Sequence, residues 1–145
     1  MLKAIFPNGR FAAPATGRQI EAVESILGVQ FPEQLRALYQ ECNGFREDRG
    51  NAKYLLSLDD EDFVGSLVTL TRFHWIEFKQ CWPNLDLSPF IFFGSSSVDE
   101  MWGINWKGPE QIIAFHHHME GEFEVVGSNI VEVYKADFKR YGDVS

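Results

Sequence analysis

The stretch "ILGVQFPEQLRALYQECNGF", residues 26–45, decides the fold prediction because it holds the end of one helix and the whole of another. Gly28 can adopt the positive φ that ends a helix, and Pro32 is favoured at the first position of the next one. Apolar residues then recur at helical spacing, namely Leu35, Leu38, Tyr39 and Cys42. Asn43-Gly44 ends this pattern. The short loop between the two helices predicts that they pack against each other or against a shared sheet.

The flanking sequence predicts further helices. Thr16 and Gln19 have the spacing of a capping box and begin a helix that Gly28 ends. Residues 67–70 favour a short strand, and Thr71 then caps a short helix. A last helix begins after Ser128 or Asn129, either of which can cap it. The predicted helices cover residues 17–27, 32–42, 72–81 and 129–140.

The second half of the chain is predicted to be mostly β-structure. The segment "PFIFFG" is apolar on both faces, as is typical of a central buried strand. The segments "EMWGINW", "QIIAFHHH" and "EFEVVG" follow with turns between them, which indicates an antiparallel meander. In the last segment, alternation predicts that Phe123 and Val125 face the core while Glu122 and Glu124 face the solvent.

These elements predict one α+β domain, with a mainly antiparallel β-sheet covered on one side by helices. Residues 1–15 are predicted to form an extended N-terminal arm, and residues 16–145 the domain itself. Two cysteines in a chain of this length do not make a disulfide framework, so a buried free thiol is expected at Cys42. The predicted core consists of apolar residues from these elements: Ile20, Val23, Leu27, Leu35, Leu38, Tyr39, Ile91, Phe93, Ile113, Phe115, Val125, Ile130 and Tyr134.

The charge of the chain restricts its partners. Its 145 residues include 21 Asp and Glu against 13 Lys and Arg, which gives a net charge of −8. Such a surface repels nucleic acid and anionic membranes, and it favours a basic protein partner. Simple solubility is the alternative reason for this acidity. The N-terminus lacks a continuous apolar segment, and no stretch approaches the length of a membrane span, so we expect a cytoplasmic protein.

The candidate catalytic and metal-binding residues do not form a recognisable site in the sequence. Of the three consecutive histidines, only His116 and His118 would share a face of a strand, and two ligands are too few for a zinc site. The "GSSS" turn lacks the context of a nucleophile elbow. We therefore predict no enzyme activity, metal or cofactor. Two alternatives remain: a metal-dependent hydrolase site at His116 and His118, and a small-ligand pocket at the face that carries Trp102 and Trp106.

The run from Ile20 to Phe45 resembles the N-terminal signature of the SUKH superfamily. That signature is a helix ending in Leu-Gly, a Phe-Pro step, a helix with Leu and Tyr, and then Asn-Gly-Phe. The matching residues are Leu27-Gly28, Phe31-Pro32, Leu35 with Tyr39, and Asn43-Gly44-Phe45. The segments "SLVTLTRFHWIEF" and "FIFFGSSSVDEMWGINW" and the final hairpin and helix are similar to later parts of the superfamily. The turn "SSSVDE" lacks the glycine that many relatives carry there.

The resemblance implies a bacterial immunity protein. Most members of the superfamily bind and inhibit a toxin domain, often a nuclease, that polymorphic or contact-dependent systems deliver. Fungal relatives instead regulate cell-wall synthesis through protein contacts, so an intracellular scaffold or regulator without a toxin partner is the alternative. A nuclease tends to be basic because it binds phosphates, and a net charge of −8 suits an inhibitor of such a protein.

The expected contact surface is acidic. It is predicted to comprise the loop acids and the acids of the later strands: Glu47, Asp48, Asp59, Asp60, Glu61, Asp62, Asp99, Glu100, Glu122 and Glu124.

Overall fold

A computed structural model describes residues 2–47, 54–59, 65–95, 100–116 and 121–141, with residues 140 and 141 described by their backbone only. Helices and strands are interspersed in the first half of the chain, and four consecutive strands and a helix make up the second half. In order they are α1 (Leu2–Ile5), β1 (Gly9–Phe11), α2 (Gly17–Leu27), α3 (Glu33–Glu41), β2 (Phe45–Glu47), β3 (Tyr54–Leu55), α4 (Leu67–Cys81), β4 (Phe90–Ser95), β5 (Glu100–Asn105), β6 (Ile112–His116), β7 (Glu122–Gly127) and α5 (Ile130–Tyr141).

The strands form one antiparallel sheet in which each strand pairs with its neighbour in the chain. The order across the sheet is β1-β2-β3-β4-β5-β6-β7, so β1 and β7 are its edges. The predicted α+β class, antiparallel pairing and meander are confirmed. The four strands of the second half lie where the sequence predicts them.

The helices cover both faces of the sheet, whereas the sequence analysis expected them on one side. On one face, His74 of α4 stacks on Phe92 of β4 with ring centroids 4.2 Å apart. On the other face, Tyr134 of α5 packs against Trp102 of β5 at 4.9 Å. These faces are opposite because Phe92 is the register partner of Gly103, the residue next to Trp102. Strands β4 and β6 are apolar on both sides, so each side needs a cover.

The N-terminal residues also differ from the expected extended arm. They contain α1 and β1, and Leu2 and Phe6 are buried. The ring of Phe6 packs against Phe45 of β2 at 4.8 Å and against Phe138 of α5 at 4.9 Å. Two apolar anchors four residues apart explain this docking, since they fall on one side of a helical turn.

Helix α4 begins earlier than predicted. Ser66 and Thr69 form its capping box, so residues 67–70 are the first turn of the helix and not a strand.

Thr71 is therefore not a cap of α4, and its side chain bonds to the neighbouring strand β4 instead. Its buried hydroxyl accepts the N–H of Phe92 at 3.0 Å and lies 3.3 Å from the carbonyl oxygen of the same residue, to which it donates. Four residues on, the indole N–H of Trp75 donates to the carbonyl of Phe90 at 2.8 Å. These two side chains satisfy the backbone of β4 beyond the end of the short strand β3.

The remaining helices and most of the core agree with the sequence prediction. Helix α2 has its capping box at Thr16 and its left-handed cap at Gly28, and Asn129 accepts the N–H of Glu132 in the first turn of α5. The predicted core residues are buried with one exception, which is Val125 at 56% exposure. The exception arises because β7 is an edge strand of the described sheet, and the side chains of Glu122 to Val126 along it are exposed.

The two cysteines are predicted to react very differently with alkylating reagents. Cys42 is free and buried, as expected, and burial together with the charge of Glu41 raises the pKa of its thiol to about 11. Cys81 is free and exposed at the end of α4. Because the thiolate is the reactive form, native protein at pH 8 should be alkylated at Cys81 and remain unmodified at Cys42. Peptide mass spectrometry after iodoacetamide treatment checks this, with urea-unfolded protein as the control in which both react.

Candidate protein-binding surface

The structure separates the predicted acidic loop residues from one another. Glu47 ends β2 opposite Gly9 and lines a cavity of about 110 Å³ beside α1 and α5, so it is half-buried. Asp59 is exposed and leaves the β2–β3 hairpin at its other end, where the N–H of Leu58 bonds to Asn43. Glu47 and Asp59 therefore do not form one surface. The predictions at Asp48, Asp60, Glu61, Asp62 and Asp99 lie outside the described residues.

Three predicted acids do converge, at the ends of β5, β6 and β7. Register pairing aligns Glu100 with His116 and His116 with Glu122, which puts all three on one face of the sheet. The imidazole of His116 lies 3.8 Å from a carboxylate oxygen of Glu100 and 3.4 Å from one of Glu124. We call Glu100, His116, Glu122 and Glu124 the acidic cluster. It carries three negative charges when the histidine is neutral.

The acidic cluster is attached to the core through Glu100. The indole N–H of Trp102 donates to Glu100 at 3.0 Å, and the carbonyl of Glu100 accepts a hydrogen bond from the hydroxyl of Ser95. Trp102 is itself only 2% exposed and packs on Tyr134. The Glu100 side chain is 13% exposed, in contrast to 67% for Glu124. Glu100 is therefore a fixed charge at the base of the cluster, and Glu124 is an accessible one at its rim.

The opposite face of β7 carries an exposed apolar strip that the sequence analysis assigned to the core. Phe123 is 41% exposed and Val125 56%. The ring of Phe123 rests on Phe90 at 5.4 Å, while α4 directs Phe78 and Trp82 onto Phe115 of the neighbouring strand. The exposure of this strip could have been predicted from the topology, because the last strand of a meander has a neighbouring strand on one side only.

The two alternative sites predicted from the sequence gain no support from the geometry. Among the described ranges no group of three or more His, Cys, Asp or Glu side chains could hold a metal ion, and His118 lies outside those ranges. Trp102 faces the core. The indole N–H of Trp106 donates to the carbonyl of Ser88 at 2.9 Å, and a shallow hollow of about 230 Å³ lies beside this ring. The indole groups act structurally here.

A scan against known protein families matches residues 14–135 to the SMI1 / KNR4 family (SUKH-1). The chain belongs to this family. The match extends from the segment before α2 into α5, so it includes the helix pair, the central strands and β7. Membership of the SMI1/KNR4 family confirms the SUKH resemblance of residues 20–45. A search of curated proteins found no significant match. In the part of the SMI1/KNR4 chain that the structure describes, no helix has the length and apolar character needed to cross a membrane.

Proposed function

We propose that this protein is a cytoplasmic immunity protein that binds and inhibits a basic bacterial toxin domain, with a nuclease as the expected toxin. It acts by binding and without a catalytic step or a cofactor. The observation that carries the proposal is the acidic cluster at the edge of the sheet, in a chain of net charge −8. Membership of the SMI1/KNR4 family supports an immunity or regulator role.

Electrostatics explains why such a surface suits this target. A nuclease attracts phosphates through Lys and Arg, so its substrate groove is a positive surface. The acidic cluster presents the exposed carboxylates of Glu122 and Glu124 to such a groove, above the fixed charge of Glu100, and the charge of the whole chain steers the two proteins together. A bound inhibitor then both neutralises the groove and blocks access of the substrate.

The proposal predicts that a toxin is encoded immediately upstream of the gene for this chain, and the test uses the C-terminal domain of that protein. Its expression alone should arrest bacterial growth, and co-expression of this chain should restore it. The double variant Glu122→Lys with Glu124→Lys should bind that domain about 10- to 100-fold more weakly at low ionic strength, mainly through slower association. Biosensor kinetics at two salt concentrations measure this effect.

The matched control is Glu21→Lys with Glu110→Lys. Both residues are exposed; Glu21 lies on α2 and Glu110 lies in the β5–β6 turn, at the opposite end of these strands from Glu100. Each double variant adds four charge units and changes the net charge from −8 to −4. Equal weakening by both variants would show a general charge effect and contradict the assigned surface. Growth arrest that persists in the presence of the wild-type chain would contradict the immunity function.

A further inference from the structure

The hydrogen-bond directions within the sheet fix which backbone groups of β7 point inward. Asn105 of β5 donates its N–H to the carbonyl of Gln111 at 2.9 Å, towards β6. In an antiparallel sheet, this direction alternates from one residue to the next along each strand. Following the registers from β5 through β6 to β7 shows that Glu122 and Glu124 direct their N–H and C=O groups inward, to β6.

Phe123 consequently directs its N–H and C=O groups outward, and Val125 directs its N–H outward, just before the register of β7 shifts against β6. No strand among the described residues pairs with this side of β7. Their side chains are 41% and 56% exposed, so the free backbone edge and the exposed apolar strip belong to the same two residues. An edge of this kind is a template for the addition of another strand.

We propose that β7 is a docking edge that accepts a β-strand from a partner protein, with basic and apolar side chains alternating along that strand. The added strand forms hydrogen bonds with the outward backbone groups of Phe123 and Val125. Residues opposite these two share their face of the sheet and are apolar. Residues opposite Glu122 and Glu124 fall on the face of the acidic cluster, and they are Lys or Arg.

Charge complementarity selects this occupant over a second copy of the chain. Antiparallel pairing of β7 with its own copy would put Glu122 and Glu124 of both copies on one face of the joined sheet. Like charges on neighbouring strands repel each other, so the acids oppose self-association. The same acids attract a strand with cations at alternate positions. The acidic residues of β7 therefore disfavour pairing with a second copy of β7, and they favour a strand with Lys or Arg at alternate positions.

The identity of the partner as a toxin domain rests on the proposed function, but the docking edge can be tested separately. The first probe is a synthetic acetylated peptide of alternating Lys and Val, with an alternating Glu and Val peptide as its control. Backbone amide exchange of the full chain, resolved by NMR, is the readout. On saturation with the Lys–Val peptide, the amides of Phe123 and Val125 should exchange at least about tenfold more slowly. Those of Glu122 and Glu124, which already bond to β6, should change little.

Two variants at position 125 separate the contribution of the backbone to peptide binding from that of the side chain. Val125→Pro removes an outward N–H and leaves the ladder to β6 intact, as edge strands allow. Val125→Ala keeps the N–H and removes the apolar side chain. The proline variant should weaken binding of the Lys–Val peptide at least about tenfold, and the alanine variant about three-fold. Thermal unfolding of both variants confirms that they fold.

Absence of protection at Phe123 and Val125 in the saturated complex would overturn the docking edge. Equal weakening by Val125→Pro and Val125→Ala would overturn it too, since only the side chain would then matter. The same exchange measurement with the upstream-encoded domain distinguishes the two proposals. Growth rescue without protection at these amides leaves the immunity function in place and removes the docking edge. Protection by the Lys–Val peptide without growth rescue leaves the docking edge in place and removes the immunity function.

Discussion

Replacing Tyr134 with alanine is expected to lower the free energy of unfolding by about 3–5 kcal/mol, the range of large-to-small substitutions of buried aromatic residues. Tyr134 has no exposed surface and lies at the centre of the aromatic cluster beneath α5. Its ring packs at 4.9 Å from Trp102, and Phe6 and Phe45 meet it edge-on at 6.1 and 6.4 Å. The substitution would leave a cavity surrounded by rigid rings, which cannot collapse to fill it. Urea denaturation followed by tryptophan fluorescence measures the loss.

Tyr134→Phe is the matched variant, because it keeps the ring and removes only the hydroxyl. That hydroxyl donates to the carbonyl of Tyr54 at 2.6 Å, and the cost of leaving such a buried acceptor unpaired is about 1–3 kcal/mol. The phenylalanine variant should therefore fall between the wild type and the alanine variant. A loss below about 1 kcal/mol for Tyr134→Ala would contradict the central position of this side chain.

Tyr134 also connects stability to the proposed binding surface. It supports Trp102, and Trp102 donates to the carboxylate of Glu100 at the base of the acidic cluster. A side chain 0% exposed in the core thus fixes the position of a charge at the surface. Such fixed charges lose less conformational entropy on binding than free ones, which favours tight association.

The parts of the fold that the sequence predicted correctly depend on local signals. Helix α2 is one example, because Thr16, Gln19 and Gly28 form its caps from within the segment itself. The apolar strands β4 and β6 are another, since continuous hydrophobic segments indicate burial on both faces. Burial on both faces already requires helices on both sides. The prediction of a one-sided cover was wrong because it considered only one of the two apolar faces of these strands.

The wrong predictions for β7 and for the acidic surface concern which elements are neighbours in the folded protein, and local sequence does not show this. Alternation in β7 shows that Phe123 and Val125 share a face, but it does not show whether any element covers that face. The strand order decides this, and β7 is at the edge. The same reason applies to the acids. The sequence analysis grouped Glu47 with Asp59 as acids of one loop, whereas strand pairing brings Glu100, Glu122 and Glu124 together around His116.

The start of α4 was mispredicted because Thr71 has two chemically reasonable roles. A threonine before an amphipathic segment is typical of a helix cap. Its hydroxyl can equally bond to a neighbouring strand, and here it lies against the backbone of Phe92. Ser66 and Thr69, which form the actual capping box, contain the less common hydroxyl pair in place of a Ser and Glu. Only the contact between α4 and β4 distinguishes the two roles.

That contact gives the second large expected effect: Thr71→Val should lower the free energy of unfolding by about 2–4 kcal/mol, although the two side chains have nearly the same shape. Thr71 is fully buried, and valine would leave both the N–H and the carbonyl of Phe92 without a partner beyond the end of β3. Thr71→Ser keeps the hydroxyl and loses one methyl group, so it should cost about 1 kcal/mol. Thermal and urea unfolding of the two variants compare these costs directly. A valine variant as stable as the serine variant would show that the hydroxyl does not support β4.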